Sequence, residues 1–169
     1  MVPKSMDAAD ILSKEGIKAV VVDMFTVNVS CPNVEGLSSL QDITFLSDIL
    51  DPLLNLRLCY EEYKPILVKV SPDISLQQLD DIMDWCMMSG IDGIVAGNTT
   101  TDRSGLSTDA KTLAEIGPGG LSGAPLFKKS LPLVRHIREY SKGRLGIIGS
   151  GGIMTPEQVL QMQEAGADL

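Results

Sequence analysis

No apolar run in this sequence approaches the roughly 18 residues of a membrane-spanning helix. Its start, Met1 to Ser5, lacks the apolar segment of a signal peptide. Basic side chains are in deficit, with 14 Lys and Arg against 22 Asp and Glu for a formal charge of −8. The clustered cations that a phosphate backbone needs are therefore wanting, and a nucleic-acid partner is not expected. Any anionic ligand must be held by local groups against the overall field. The three cysteines, Cys31, Cys59 and Cys86, match neither a CxxC metal pair nor a disulfide framework. That spacing points to a reducing cytoplasm and to no metal centre. Repeats, low-complexity tracts and linkers are absent too. The 169 residues, 44% of them hydrophobic, read as one domain over 1–169 with enough apolar surface to bury a core.

What the sequence does contain is an alternation of short apolar runs with helical patterns. The strand candidates are Ala19 to Val22 continuing into Met24 to Val29, Pro65 to Val70, Gly93 to Ala96, and Leu145 to Ile148. Most are nearly all apolar, which suits parallel strands buried on both faces. Ser75 with Gln78 is a capping-box pattern opening a helix that Gly90 stops, with Leu76, Leu79, Met83, Cys86 and Met87 on one face. Thr155, Pro156 and Gln158 open another that ends near Gly166. A third is expected from Ser130 to Tyr140, stopped at Lys142-Gly143, and a fourth from Asp42 to Leu58, kinked or split at Pro52. Strand-helix alternation of this kind predicts an α/β fold with a parallel sheet. Polar groups follow every strand, at Asn28 with Ser30 to Asn33, Ser71 to Asp73, Asn98 to Thr101 and Gly149 to Gly152. A (β/α)8 barrel gathers all strand ends on one face, whereas an open sheet binds chiefly at one switch point, so the barrel is favoured. A whole barrel takes about 250 residues, and four or five strands are countable. The chain is expected to be part of one.

Three strand ends carry the chemistry. In Asn28-Val-Ser-Cys-Pro-Asn33, two carboxamides flank one thiol, and each offers the donors and acceptor that complement a ring bearing N–H and C=O groups. A polar turn satisfying its own backbone is the plain alternative. Lys69 is a single charge within an apolar strand. It needs an anionic partner or ligand, with an ion pair to Asp73 or Asp23 as the structural option. Asn98 to Thr101 adds a carboxamide and three hydroxyls, although Asn and Thr are also common caps. Gly119 to Gly123 and Gly149 to Gly152 are glycine-rich turns, the second lying between a strand and a capped helix. Backbone amides at such a place can approach a phosphate. His136 reads as a surface residue, and Cys59 and Cys86 as packing residues.

Taken in order, these strings resemble dihydroorotate dehydrogenase, a flavin enzyme of pyrimidine biosynthesis. The resemblance runs from about Asp23 to Leu169 and includes Asn28 to Asn33, Leu37 to Gln41, Leu67 to Asp73, Gly90 to Thr100, Gly119 to Leu126 and Ile147 to Ile153. The flanking sequence is most similar to the quinone-linked class. The resemblance implies a (β/α)8 barrel of which this chain carries roughly strands four to seven. It implies that Asn28, Asn33, Asn98 and Thr99 bind the orotate ring. Lys69 and Asn28 would contact FMN, with Lys69 stabilising the reduced, anionic flavin. Gly97, Gly123, Gly151 and Gly152 would line the same cofactor. Cys31 would be the base that takes the C5 proton of dihydroorotate while hydride passes from C6 to flavin N5.

Two positions depart from the pattern. The quinone-linked class has serine where Cys31 stands, and a thiol with an ordinary pKa near ~8.5 is the stronger base once tuned. Gly97 stands where the family often has threonine, which removes a hydroxyl from the flavin. The resemblance also implies a quinone acceptor, a membrane-associated whole enzyme, and further strands and a helical membrane-associating segment outside this chain. Three other readings stay open: a related flavin-dependent dihydropyrimidine oxidoreductase, a half-barrel that catalyses nothing alone, and a homo-oligomer.

Overall fold

Four parallel strands lie side by side in the order of the chain in the computed structural model, which describes residues 23–30, 43–59 and 61–169. They are β1 (Phe25–Asn28), β2 (Ile66–Val70), β3 (Gly93–Ala96) and β4 (Gly146–Gly149). The intervening helices are α1 (Ile43–Arg57), α2 (Leu76–Ser89), α3 (Ala110–Ile116), α4 (Phe127–Ser141) and α5 (Pro156–Ala165), with a 3₁₀ turn at Ala124–Leu126. An order without reversal has no switch point, and the sheet forms one arc of a (β/α)8 barrel wall.

The two faces of the sheet are chemically distinct. Ile66, Val68, Val70, Ile94, Ala96 and Ile147 form one buried cluster with Leu46 and Leu50 of α1, Leu79, Ile82, Met83 and Cys86 of α2, Leu133, Val134 and Ile137 of α4, and Met162 and Ala165 of α5. The alternate residues Leu67, Lys69, Val95 and Ile148 are outside that cluster, so these helices pack on one face only. The pairing register places Asn28 beside Lys69, Lys69 beside Val95 and Val95 beside Ile148. In-register neighbours point the same way, so Asn28 and Lys69 crown the inner face. The expectation of strands buried on both faces holds for the central β2 and β3, while β1 is mostly exposed.

Helix boundaries follow their caps. The Ser75 Oγ accepts the Gln78 N–H at 3.3 Å, and Gly90 adopts φ 86 to close α2. Thr155 and Gln158 complete a reciprocal capping box on α5, and Lys142 closes α4 with φ 52. Three expectations are corrected, and a fourth reaches beyond the described residues. The first described strand begins at Phe25, and Ala19 to Val22 lie outside the described residues. The helix α1 is not split at Pro52, because Leu46 and Leu50 anchor it to the core on the N-terminal side of the proline and the partly buried Leu54 packs beyond it. The helix α4 starts one turn earlier than Ser130, since the turn at Pro125 feeds directly into it and brings Phe127 against the core. Cys59 is exposed, its Sγ donating to the Asn55 carbonyl at 3.6 Å, whereas Cys86 is fully buried and burial pushes its thiol up to about 12.

The N-terminal rim of the sheet carries a latch that occurs twice. The Asp92 carboxylate accepts the Ile66 N–H at 2.8 Å and the Arg57 Nη1 at 2.6 Å, while Arg57 Nη2 donates to the Gly90 carbonyl at 2.8 Å. The Arg57 guanidinium also lies 4.7 Å from the Tyr63 ring centroid. Asp168 likewise accepts the Ile147 N–H at 2.8 Å and Arg138 Nη2 at 2.7 Å, and Arg138 Nε donates to the Gly166 carbonyl at 2.9 Å. Each latch joins an arginine on one helix, the C-cap glycine of the next, an aspartate two residues on, and the amide of the strand between. Beyond Asp168 the Gly149 N–H donates to the Leu169 carbonyl at 2.8 Å, so parallel pairing continues past β4.

Candidate active site

At the opposite, C-terminal rim the loops after β1, β2, β3 and β4 come together, as the polar strand ends required. One buried serine organises the first two carboxamides. The Ser30 N–H and Oγ donate to Asn28 Oδ1 at 3.2 and 2.9 Å, and Asn98 Nδ2 donates to the Ser30 carbonyl and Oγ at 2.9 and 3.0 Å. Backbone groups fix both amide orientations, because an N–H can only meet the Asn28 oxygen and a carbonyl can only meet the Asn98 nitrogen. The Asn28 NH2 and the Asn98 Oδ1 then meet no other described residue. A donor pair and an acceptor are left at the C-terminal rim without a hydrogen-bond partner among the described residues.

Lys69 stands next to Asn28 in the register and is half-buried, yet its ammonium pairs with no carboxylate among the described residues. The ion pair with Asp73 considered from sequence is made instead by Lys129, at 2.8 Å. Thr99 is half-buried and packs against Gly120, where an added Cβ would fall 1.9 Å from the Thr99 Oγ1. Glycine is the residue that leaves room for that side chain.

The glycine positions form a second cluster. Gly97 is buried, its N–H donating to the Ser150 carbonyl at 3.2 Å, while the Ser150 N–H returns a bond to the Ala96 carbonyl at 2.6 Å. Gly152 has φ 73 and lies so close to the start of α4 that a Cβ would fall 2.3 Å from the Phe127 N and 2.9 Å from the Gly123 carbonyl. A Cβ on Gly151, with φ 115, would fall 2.5 Å from Ser130 Oγ. The amides of Gly151 and Gly152 find no acceptor among the described residues. Bare N–H groups beside a helix start are suited to an anion. Cys31 and Asn33 lie outside the described residues.

Sequence reasoning placed Ser30, Asp73 and Thr100 among the polar strand ends but did not show that they hold these loops. Ser30 is 4% exposed and Thr100 is 2% exposed. The Asp73 carboxylate accepts Thr100 Oγ1 at 2.5 Å and the Thr101 N–H at 2.8 Å. Burial pushes the Asp73 carboxyl up, but the Lys129 ammonium, the Thr100 hydroxyl and the Thr101 amide outweigh it and hold the carboxyl below its usual range. His136, expected on the surface, is half-buried on the outside of the helices, 2.6 Å from Asp80 and stacked on Tyr140, and takes no part in the rim.

Residues 5–169 match the dihydroorotate dehydrogenase family. The chain belongs to that family. It is 41% identical over 162 residues to a protein from Nocardia farcinica and 40% identical over 174 residues to one from Thermobifida fusca, both named dihydroorotate dehydrogenase (quinone). Those alignments cover 96% and 100% of this chain but 44% and 45% of the relatives, so the chain spans less than half their length. Among solved structures it resembles the Eimeria tenella dihydroorotate dehydrogenase, ligand-free and in complex with ferulenol. The TM-scores are 0.80 and 0.79 at 30% and 29% identity, covering 97% and 92% of this chain and 49% and 46% of those chains. Membership in the dihydroorotate dehydrogenase family accounts for the partial barrel.

Proposed function

We propose that this chain contributes the ring-binding and flavin-binding wall of a dihydroorotate dehydrogenase that oxidises dihydroorotate to orotate and passes electrons to a quinone. The observation that carries the reading is the fixed orientation of two amides. Ser30 leaves the Asn28 NH2 and the Asn98 Oδ1 at the C-terminal rim without a hydrogen-bond partner among the described residues, beside a Lys69 that pairs with no described carboxylate. A planar ring with imide N–H and C=O groups and a carboxylate matches those donors, acceptor and charge.

The residues fit FMN as the cofactor. The amides of Gly151 and Gly152 meet no acceptor among the described residues, both glycines pack too tightly against Ser130 and Phe127 to carry a Cβ, the Gly123 carbonyl lies against Gly152, and Lys69 stands beside Asn28 in the register. When bound, FMN supplies the hydride acceptor at N5. Lys69 favours the negative charge that builds on the ring system during reduction, worth most where water is excluded. Gly97 holds the β3 and β4 ends together through its backbone. Asn28, Asn33, Asn98 and Thr99 orient the substrate ring, and Cys31 takes the C5 proton.

The test uses the complete polypeptide carrying this sequence, purified and examined for bound flavin and for orotate formation with a quinone acceptor. Loss of most activity in Cys31→Ala, and preference for dihydroorotate over dihydrouracil, are the expected results. A flavin-free protein, or one that favours dihydrouracil, would overturn the assignment.

A further inference from the structure

The Asp73 carboxylate joins two loops of the C-terminal rim to the helix α4, yet it belongs to neither the ring-facing nor the flavin-facing set. It follows β2 in Ser71-Pro72-Asp73, where its own N–H donates to Ser71 Oγ at 3.1 Å. Oδ1 accepts the Thr100 hydroxyl at 2.5 Å and the Lys129 ammonium of α4 at 2.8 Å. Oδ2 accepts the Thr101 N–H at 2.8 Å and its hydroxyl at 3.3 Å. Two oxygens of one carboxylate thus grip two consecutive residues, which sets both the position and the tilt of the peptide plane between them.

That peptide plane lies directly downstream of Asn98 and Thr99. From its other side Thr100 is held by Leu121, the Thr100 N–H donating to the Leu121 carbonyl at 3.1 Å and the Leu121 N–H returning a bond at 2.7 Å. Arg103 adds bonds to the Thr100 carbonyl, at 3.0 Å, and to the Gly119 carbonyl. The ring-facing pair therefore hangs between two anchors. Ser30 holds Asn98 on the upstream side, and Asp73 holds Thr100 and Thr101 on the downstream side.

We infer that Asp73 is a positioning residue for substrate: by gripping Thr100 and Thr101 it fixes where Asn98 and Thr99 meet the ring. The inference rests on the ring-binding role proposed above for Asn98 and Thr99. Lys129, which also lies 3.0 Å from Asp102, neutralises Asp73 and ties the grip to α4. Charge-assisted bonds of this kind are the stronger class and are costly to remove.

The experiment uses the complete FMN-loaded enzyme and reads orotate binding from the perturbation of the flavin spectrum, together with KM and kcat for dihydroorotate. Asp73→Ala is expected to raise the orotate Kd and the dihydroorotate KM by about tenfold, as for loss of a charge-assisted hydrogen bond, with a smaller change in kcat. Asp73→Asn keeps one acceptor and is expected to fall between Asp73→Ala and wild type. Arg57→Ala, at the opposite rim, serves as the control for destabilisation alone and is expected to lower Tm without moving the Kd. An Asp73→Ala enzyme whose Kd moves no more than that of Arg57→Ala overturns the inference. Should Asp73→Ala fail to retain flavin, Asp73→Asn decides: a raised Kd supports the role and an unchanged one rejects it. A wild-type flavin spectrum indifferent to orotate would reject the ring-binding role itself, and the inference with it.

Discussion

Asn98 donates both hydrogens of its carboxamide to one residue, Ser30, at 2.9 Å to the carbonyl and 3.0 Å to Oγ. Because the Ser30 hydroxyl also donates to Asn28 at 2.9 Å, a single oxygen couples the two amides. Ser30→Ala should cost about 1 kcal/mol in urea unfolding and weaken orotate binding several-fold in a spectral titration. Asn98→Asp should be worse than Ser30→Ala in the same titration, since a carboxylate has no hydrogen to give the Ser30 carbonyl.

Gly120→Ala separates ring binding from flavin binding. Its Cβ would fall 1.9 Å from Thr99 Oγ1, so the threonine side chain must move. Orotate affinity should fall while the flavin stoichiometry, read by absorbance after gel filtration, stays at the wild-type value.

Gly152→Ala should do the reverse. At φ 73 a side chain is strained, and here it would also press on the Phe127 N from 2.3 Å; such a backbone position costs of order 1–3 kcal/mol. Flavin should be lost on dilution at concentrations where the wild-type protein retains it.

Arg57→Ala leaves the Asp92 carboxylate without its cation, held only by the Tyr63 hydroxyl and the Ile66 amide, with side chains only 14% and 25% exposed in the pair. A loss of about 2 kcal/mol is expected from breaking a partly buried pair, measured as a shift of the urea midpoint with ligand affinity unchanged.

Acid should loosen the grip of Asp73. Its carboxyl titrates below the ordinary carboxylate value in the folded chain, because the Lys129, Thr100 and Thr101 bonds outweigh the burial that raises it. An unfolded aspartate titrates near ~3.9. The stabilisation is therefore complete above that value and is lost as pH falls through the lower folded value. Urea midpoints measured from neutral pH downward should show this acid limb in the wild type and a flatter one in Asp73→Asn.

Much of the wall was legible in the sequence because local chemistry decides it. The apolar runs of β2, β3 and β4 and the caps at Ser75, Gly90, Thr155 and Gly166 each carry their signal within a few residues. The helix α3 was not legible, since none of its residues is buried and no apolar stripe marks it; the one local cue was Asp109, whose carboxylate accepts the Lys111 and Thr112 amides at 3.1 and 3.0 Å. Asn28, Lys69, Asn98 and the glycines were visible as polar or small residues at strand ends. Their organisers were not. Lys129 lies 56 residues from Asp73, and Ser30 lies 68 from Asn98, and no periodicity announces a contact made only by folding.

The doubled latch at the N-terminal rim assigns the two ends of the sheet different tasks. Arg57 with Asp92, and Arg138 with Asp168, peg the start of a strand to the helix before it and to the segment that follows. Strand alignment is thereby decided far from the C-terminal rim. The loops at the other rim are free to exchange residues without dragging the scaffold with them. A wall pegged at its foot can vary its chemistry at its crest.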